Sequence, residues 1–243
     1  MKIVGFGDSF IQPKSTVEYQ YTRLVIDKFG GEFELFGVNG CGIWDTFFEF
    51  KRYAETNKSF SDVDLILFAW SDASRLYNSE VRNACYANSI NHKDSKDPFW
   101  IAVKNYYEHI FDIDKTRYEF DAFYYWVDDW FEKNYPDKKI VNMYSFPKMT
   151  KSSAVYFEYL DIVKNNPENE VYYHEFKNSV TIKPSLLHFS LNDEWPEDND
   201  LSREHRFQHL TPKMHKEVSK ILIESIEKYE KGKVFTYKPK KFI

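Results

Sequence analysis

Four short runs of nearly continuous apolar character punctuate the chain, at Lys2–Phe6, Glu34–Val38, Asp64–Trp70 and Lys139–Tyr144. Runs of this length suit strands that are covered on both faces, as in a parallel sheet. A fifth strand is placed in either Glu170–Phe176 or Val180–Phe189. Between the first two runs, Ser15-Thr16-Val17-Glu18 reads as a capping box. Val17, Tyr21, Leu24, Val25 and Lys28 then follow one helical face until Gly30-Gly31 stops it. The last helix has Thr211 as N-cap, Pro212 at its first position, and Val218, Ile221, Leu222 and Tyr229 as an apolar stripe. Alternating strands and helices predict an α/β domain, an open parallel sheet with helices on both faces. Ligands of such sheets bind at the carboxyl ends of the strands.

The segment from Tyr77 to Asp137 is longer than an ordinary connection and is expected to be a helical insertion in a single domain spanning residues 1–243. It is dense in aromatic residues. Phe120, Tyr124, Val127 and Phe131 fall on one helical face and Trp126 and Trp130 on another, so this helix has two apolar sides. One side can pack on the sheet. The other must meet a second helix, another copy of the chain in a homo-oligomer, or a ligand such as a glycan or acyl chain.

Aromatics make up 19% of the residues against only 8 glycines, so the apolar content lies in rings more than in aliphatics. The formal net charge of −5 supports no nucleic-acid surface, and Asp128 and Asp129 argue against a membrane surface or phosphate backbone as the target of the aromatic helix. Cys41 and Cys85 are too few and too far apart for a disulfide framework or a zinc site. Ile3-Val4-Gly5-Phe6-Gly7, cut short by Asp8, is too brief for a secretory or membrane segment. A soluble, cytoplasmic protein is expected. A glycine-poor composition rich in lysine and asparagine also suits an AT-rich genome such as a phage's, which would place it in the host cytoplasm or the virion. The lysine-rich end, Lys231 to Lys241, reads as a solvated tail.

Candidate chemistry lies at the two ends of this plan. Gly7-Asp8-Ser9-Phe10 follows the first strand directly, and Gln208-His209-Leu210-Thr211-Pro212 leads into the last helix. A serine released at a strand's carboxyl end and a histidine on a loop feeding a helix can meet over a sheet edge as nucleophile and base. His205, His209 and His215, with Glu204 beside them, also raise zinc. Pro212 starts a helix between His209 and His215, however, so the three cannot share one regular helix, and no metal or other cofactor is expected.

Gly7-Asp8-Ser9 resembles the first sequence block of the SGNH (GDSL-like) hydrolases, a three-layer α/β/α, flavodoxin-like family of esterases, acyl hydrolases and carbohydrate deacetylases. Val38-Asn39-Gly40-Cys41-Gly42 is similar to the second block, with Gly42 the counterpart of its glycine, and His209-Leu210-Thr211 to the last. Two positions depart from the pattern. Ala69-Trp70-Ser71-Asp72 stands where the family has Gly-x-Asn-Asp, which puts Ser71 in place of an oxyanion-binding asparagine. Arg206 stands three residues before the histidine, where the family's acid belongs; Glu204 is the nearest acidic substitute, with Asp198 and Asp200 farther away.

The resemblance implies a serine esterase or acyl hydrolase acting on a small-molecule or glycan ester. Ser9 would be the nucleophile, His209 the base and Glu204 the residue that orients the histidine. Backbone N–H groups of Ser9 and Gly42 would receive the oxyanion, with Ser71 as a weaker donor. Asp8 would fix the loop. Ser71 and Asp72 can equally cap a helix after the third strand, Gly42 can be a turn glycine with a positive φ, and Arg75 can pair with Asp72 or bind a substrate carboxylate. The alternative function is a catalytically inactive binding or structural module on the same fold.

Overall fold

The computed structural model describes residues 1–11, 20–56, 60–77, 92–146, 174–191 and 210–237. The strands are β1 (Lys2–Gly7), β2 (Glu32–Gly37), β3 (Leu65–Trp70), β4 (Lys139–Tyr144), β5 (Val180–Lys183) and β6 (Val234–Thr236). They form one sheet in the order β2-β1-β3-β4-β5-β6, every neighbouring pair parallel. The described helices of six or more residues are α1 (Tyr21–Phe29), α2 (Ile43–Glu55), α3 (Pro98–His109), α4 (Ile113–Asn134), α5 (Leu186–Leu191) and α6 (Pro212–Glu227). This is the three-layer α/β/α architecture with an open parallel sheet.

Because side chains alternate along a strand, each strand supplies both outer layers. Ile3, Leu65, Leu67, Val141, Met143, Val180 and Ile182 share an apolar cluster with α1 and α6 residues such as Val25, Val218 and Leu222. Their alternates, Val4, Phe6, Ile66, Phe68, Trp70, Ile140 and Tyr144, share another with α2 and α4. The first cluster is mostly aliphatic and the second mostly aromatic. In the second, Phe50 of α2 has ring neighbours Phe68 at 5.7 Å, Trp130 at 5.4 Å and Phe131 at 5.5 Å.

Both sides of the aromatic helix find partners. Phe120, Tyr124, Val127 and Phe131 of α4 are buried in the sheet's aromatic cluster. Trp126 and Trp130 turn toward α2: Trp126 lies 5.5 Å from Phe47, and Trp130 packs on Phe50 and, at 6.1 Å, on Phe60. The second apolar side thus meets a second helix. Asp128, one of the two acids that argue against a membrane or phosphate target for this helix, is buried. Its carboxylate accepts from the Ser179 hydroxyl at 3.0 Å and from the backbone N–H groups of Lys177 and Asn178 at 3.0 and 3.1 Å. Ser179 also receives a bond from Asn142 (2.8 Å), which in turn accepts the Trp70 indole N–H at 2.9 Å. A polar chain therefore crosses the aromatic layer from β3 to α4 with its members bonded to one another, as buried polar groups require.

Several boundaries differ from those read in the sequence. Helix α1 is described from Tyr21, and the capping box at Ser15 to Glu18 lies outside the described residues. Of the two placements for the fifth strand, Val180–Lys183 is the one seen. Leu186 onward turns into α5 after a cis Lys183-Pro184 bond, where a proline cannot continue the ladder. Tyr229 lies just past the end of α6, its hydroxyl accepting from the Ile140 N–H at 3.1 Å. The lysine-rich end is not all solvated tail: Val234–Thr236 pairs with Thr181–Lys183 as the edge strand β6. Three strand residues between lysines are too short a signal to separate from a tail, and lysine is common on edge strands.

Two substitutions test the packing. Phe50→Ala removes a fully buried ring at the contact of α2, α4 and the sheet and should lower unfolding free energy by about 3–5 kcal/mol in denaturant titrations. Gly7→Ala would place a Cβ 2.7 Å from the Ala69 carbonyl oxygen. Backbone cannot yield there without parting β1 from β3, so a loss on the order of 3 kcal/mol is expected in the same titration.

Candidate active site

The carboxyl ends of β1, β3 and β4 meet around one acid. Asp8 has no exposed surface. Its Oδ1 accepts from the Phe10 N–H at 3.0 Å and from the Ser145 hydroxyl, just past β4, at 2.8 Å. The Asp8 carbonyl receives the Ile11 N–H at 3.1 Å. A tight turn is thus pinned over the sheet edge, with Ser9, partly exposed, on it. Ser145 is fixed in turn by its N–H to the Trp70 carbonyl at 2.8 Å and by its carbonyl from the Leu187 N–H at 2.9 Å. Asp8 thus closes its own turn and links it to the segment after β4. Burial holds its pKa above the ordinary carboxylate value; the positive charge of Arg75 and the bonds from Phe10 and Ser145 pull the other way. Its charge and burial together push the Tyr21 phenol and the Cys41 thiol upward, burial being the larger cause in both.

Gly42 is the N-cap of α2 with φ −92°, so it needs no left-handed conformation; the positive φ in this turn belongs to Gly40, at 70°. What Gly42 requires is space, since a Cβ there would stand 3.1 Å from the Arg75 carbonyl oxygen. Its N–H donates to Asp45 Oδ2 at 2.9 Å. Ser71 is buried between the Cys41 carbonyl, to which its hydroxyl donates at 2.7 Å, and the Asp8 carboxylate, whose pKa it helps to lower. Asp72 Oδ1 accepts from both the N–H and the hydroxyl of Ser74 at 2.8 Å, which closes a turn after β3. Arg75 has its Nε 3.8 Å from Asp72 Oδ2, donates from Nη1 to the Cys41 carbonyl at 3.0 Å, and lies 4.7 Å over the Phe146 ring. The ion pair with Asp72 is thus present.

The base and its acid, His209 and Glu204, lie outside the described residues, as do Asp198, Asp200, His205, Arg206 and Cys85. The residues that follow His209 are seen. Leu210 is buried in the same apolar cluster as Phe10 and Ile11. Thr211 caps α6 through its hydroxyl to the Met214 N–H at 3.3 Å, with Pro212 opening the helix as read from the sequence. His215 does not stand free on the first turn: its Nδ1 accepts the Tyr21 N–H at 3.3 Å and its ring stacks on Tyr21 at 5.8 Å. That bond joins the start of α6 to the start of α1, beside the Ser9 turn.

Beside the predicted Asp8 and Gly42 stand Ser145 and Asp45, which the sequence reading did not place at the site. Ser145 carries a usable signal, being the first polar residue past the β4 run. Asp45 stands at the third position of a helix with a glycine N-cap, where a carboxylate reaches back to the cap N–H. Arg75 was read as a partner for Asp72 or for a substrate carboxylate, and its bond to the Cys41 carbonyl was not foreseen.

No family model and no curated protein sequence matches the chain. Among solved structures it is similar to a member of the lipolytic protein G-D-S-L family from Veillonella parvula, at 10% identity and TM-score 0.41, over 94% of this chain and 98% of that one. It is also similar to a carbohydrate esterase family 2 enzyme with a carbohydrate binding domain from Corynascus thermopiles (Myceliophthora fergusii), at 15% identity and TM-score 0.45, over 93% of this chain and 65% of that one. A third is an acetyl xylan esterase, AlAXEase, at 16% identity and TM-score 0.39, over 93% and 99% of the two chains. The sheet order defines an α/β/α fold with an open parallel sheet, and roles for individual residues rest on this chain's own geometry. Among the described residues no helix is long and apolar enough to cross a membrane.

Burial of Asp8 has a pH signature. The folded state holds this proton more tightly than the unfolded chain does, so protonation favours folding. Its contribution is greatest below the unfolded carboxylate value and is lost as pH rises through the folded one. Asp8→Asn lacks that dependence. The unfolding free energy of the wild type, relative to Asp8→Asn, should therefore fall as pH is raised from 4 upward, then level off; a difference flat in pH would show that Asp8 is not held protonated by the fold.

Proposed function

We propose that the protein is a serine esterase or acyl hydrolase of the SGNH type, with Ser9 as nucleophile and His209 as base. One observation carries the reading. Ser9 sits at the carboxyl end of β1 on a turn pinned by buried Asp8, and Leu210 is anchored in the cluster that holds the next residues of that turn, Phe10 and Ile11. His209 directly precedes Leu210 in the sequence. Nucleophile and base thus each adjoin a residue of one apolar cluster.

In this reading Ser9 Oγ attacks an ester carbonyl while His209 takes the hydroxyl proton. Collapse of the tetrahedral intermediate breaks the bond to the alkoxide, which leaves with that proton as the alcohol. Water, deprotonated by His209, then releases the acid from acyl-Ser9. Glu204 orients the imidazole, and the Ser9 N–H is the nearest backbone donor for the oxyanion. No step calls for a cofactor. As the finer substrate class we propose an O-acyl or O-acetyl carbohydrate. The half-open rings of Trp44, Phe48 and Tyr77, with Trp44 5.7 Å and Tyr77 5.1 Å from Phe48, offer flat apolar surface along α2, the helix that Gly42 caps.

A second reading, a non-catalytic module on the same fold, is favoured by a specific observation: the Gly42 N–H and the Ser71 hydroxyl are both bonded within the protein. A fluorophosphonate probe separates the two. The hydrolase should label covalently, with labelling and ester turnover reduced by at least about 10³-fold in Ser9→Ala and in His209→Ala. Absence of labelling in a wild type shown by circular dichroism to be folded would leave the binding module.

A further inference from the structure

Three polar contacts converge on a single peptide group. The Cys41 carbonyl accepts from Ser71 Oγ at 2.7 Å and from Arg75 Nη1 at 3.0 Å. Across the same peptide bond, the Gly42 N–H donates to Asp45 Oδ2 at 2.9 Å. Arg75 also closes the space above Gly42, as the 3.1 Å approach of its carbonyl oxygen to an ideal Cβ shows. The Cys41–Gly42 peptide is thus gripped at its oxygen, at its nitrogen and at the adjoining Cα. Gly42 and Ser71 are the donors a hydrolase here would aim at a developing oxyanion, and Arg75 adds a cation beside them. All three are engaged with the protein itself.

We propose that Asp45 is a positioning residue that masks the oxyanion site, its carboxylate holding the Gly42 amide until it swings away. The inference rests on the hydrolase reading above. A carboxylate on a backbone N–H at a helix N-terminus makes a charge-assisted bond reinforced by the helix dipole. The neutral carbonyl oxygen of a bound ester cannot displace it. The oxyanion of the tetrahedral intermediate can compete, but only by bringing a second negative charge to the same donor. Asp45 therefore opposes the transition state far more than the ground state, and its removal should act on kcat and leave KM nearly unchanged.

The test is turnover of 4-nitrophenyl acetate and the rate of fluorophosphonate labelling in full-length Asp45→Ala, Asp45→Asn and Asp97→Ala, each alone and combined with Ser9→Ala. One oxyanion donor is worth about 10²–10³ in rate, so Asp45→Ala should raise kcat at least about tenfold with KM within about twofold. Asp45→Asn should rise less, since its amide oxygen still accepts from Gly42 but carries no charge. Asp97→Ala, which likewise removes a carboxylate bonded to a backbone N–H at a helix start, that of Phe99 at 2.9 Å at the exposed end of α3, should match the wild type. Every gain should vanish with Ser9→Ala. A folded Asp45→Ala with kcat at or below the wild-type value overturns the proposal and leaves Asp45 a helix cap. If that variant does not fold, an Asp45→Asn without a rise does the same. Ser9-dependent wild-type labelling with no gain on removing Asp45 defeats this inference alone, whereas no Ser9-dependent labelling in any variant defeats the hydrolase reading and this one with it.

Discussion

The buried carboxylate of Asp8 is the point on which the sheet's working edge depends. A charge-bearing group without exposed surface is costly to bury unless its oxygens are bonded, and here one oxygen collects the Phe10 N–H and the Ser145 hydroxyl. The first closes the turn after β1 and the second ties it to the end of β4, across the end of β3 that lies between them. Ser145 passes the constraint on, to Trp70 at the end of β3 and to Leu187 in α5. The turn that carries Ser9 is thus held by three segments distant in sequence, at Ser145, Trp70 and Leu187, and the short side chain that would do chemistry is held on rigid elements.

Behind that edge the sheet separates two unlike layers. One is built of aliphatic side chains from β1, β3, β4 and β5 with α1 and α6, the other of rings from β1 and β3 with α2 and α4. Rings are large and geometrically particular, so the aromatic layer specifies how α2 and α4 lie against each other and against β3. The chain of bonds from Trp70 through Asn142 and Ser179 to Asp128 adds direction within that layer. It ties the loop before β5 to α4, so the aromatic helix and the far half of the sheet are positioned together.

Much of this was legible beforehand. The Lys139–Tyr144 run is β4 residue for residue, and the runs for β1, β2 and β3 fall within two residues of the observed strands. Thr211-Pro212 marked the start of α6, because capping is a local matter of one hydroxyl and one N–H. Glycine at 42 was legible as a requirement but not for its reason: the constraint is the backbone of Arg75, 33 residues later in the chain, and no local conformation signals it. Nothing local marks Asp128 as buried, since a carboxylate in a helix is usually exposed. Only the loop preceding β5, folded back onto α4, supplies the donors that let it be buried.

The sequence by itself determined the alternation of strand and helix, the placement of a serine at a strand's carboxyl end and of a histidine before the last helix. These follow from periodicity, caps and breaks, which act over a few residues. Tertiary structure decided which hydrogen-bond donors at that edge are spoken for. The amide of Gly42, the hydroxyl of Ser71 and the guanidinium of Arg75 are ordinary donors in the sequence. Gly42 finds its acceptor three residues on, in Asp45, but the acceptor shared by Ser71 and Arg75, the Cys41 carbonyl, reaches them only when the end of β3 and the start of α2 come within about 3 Å, the range over which a hydrogen bond exists at all.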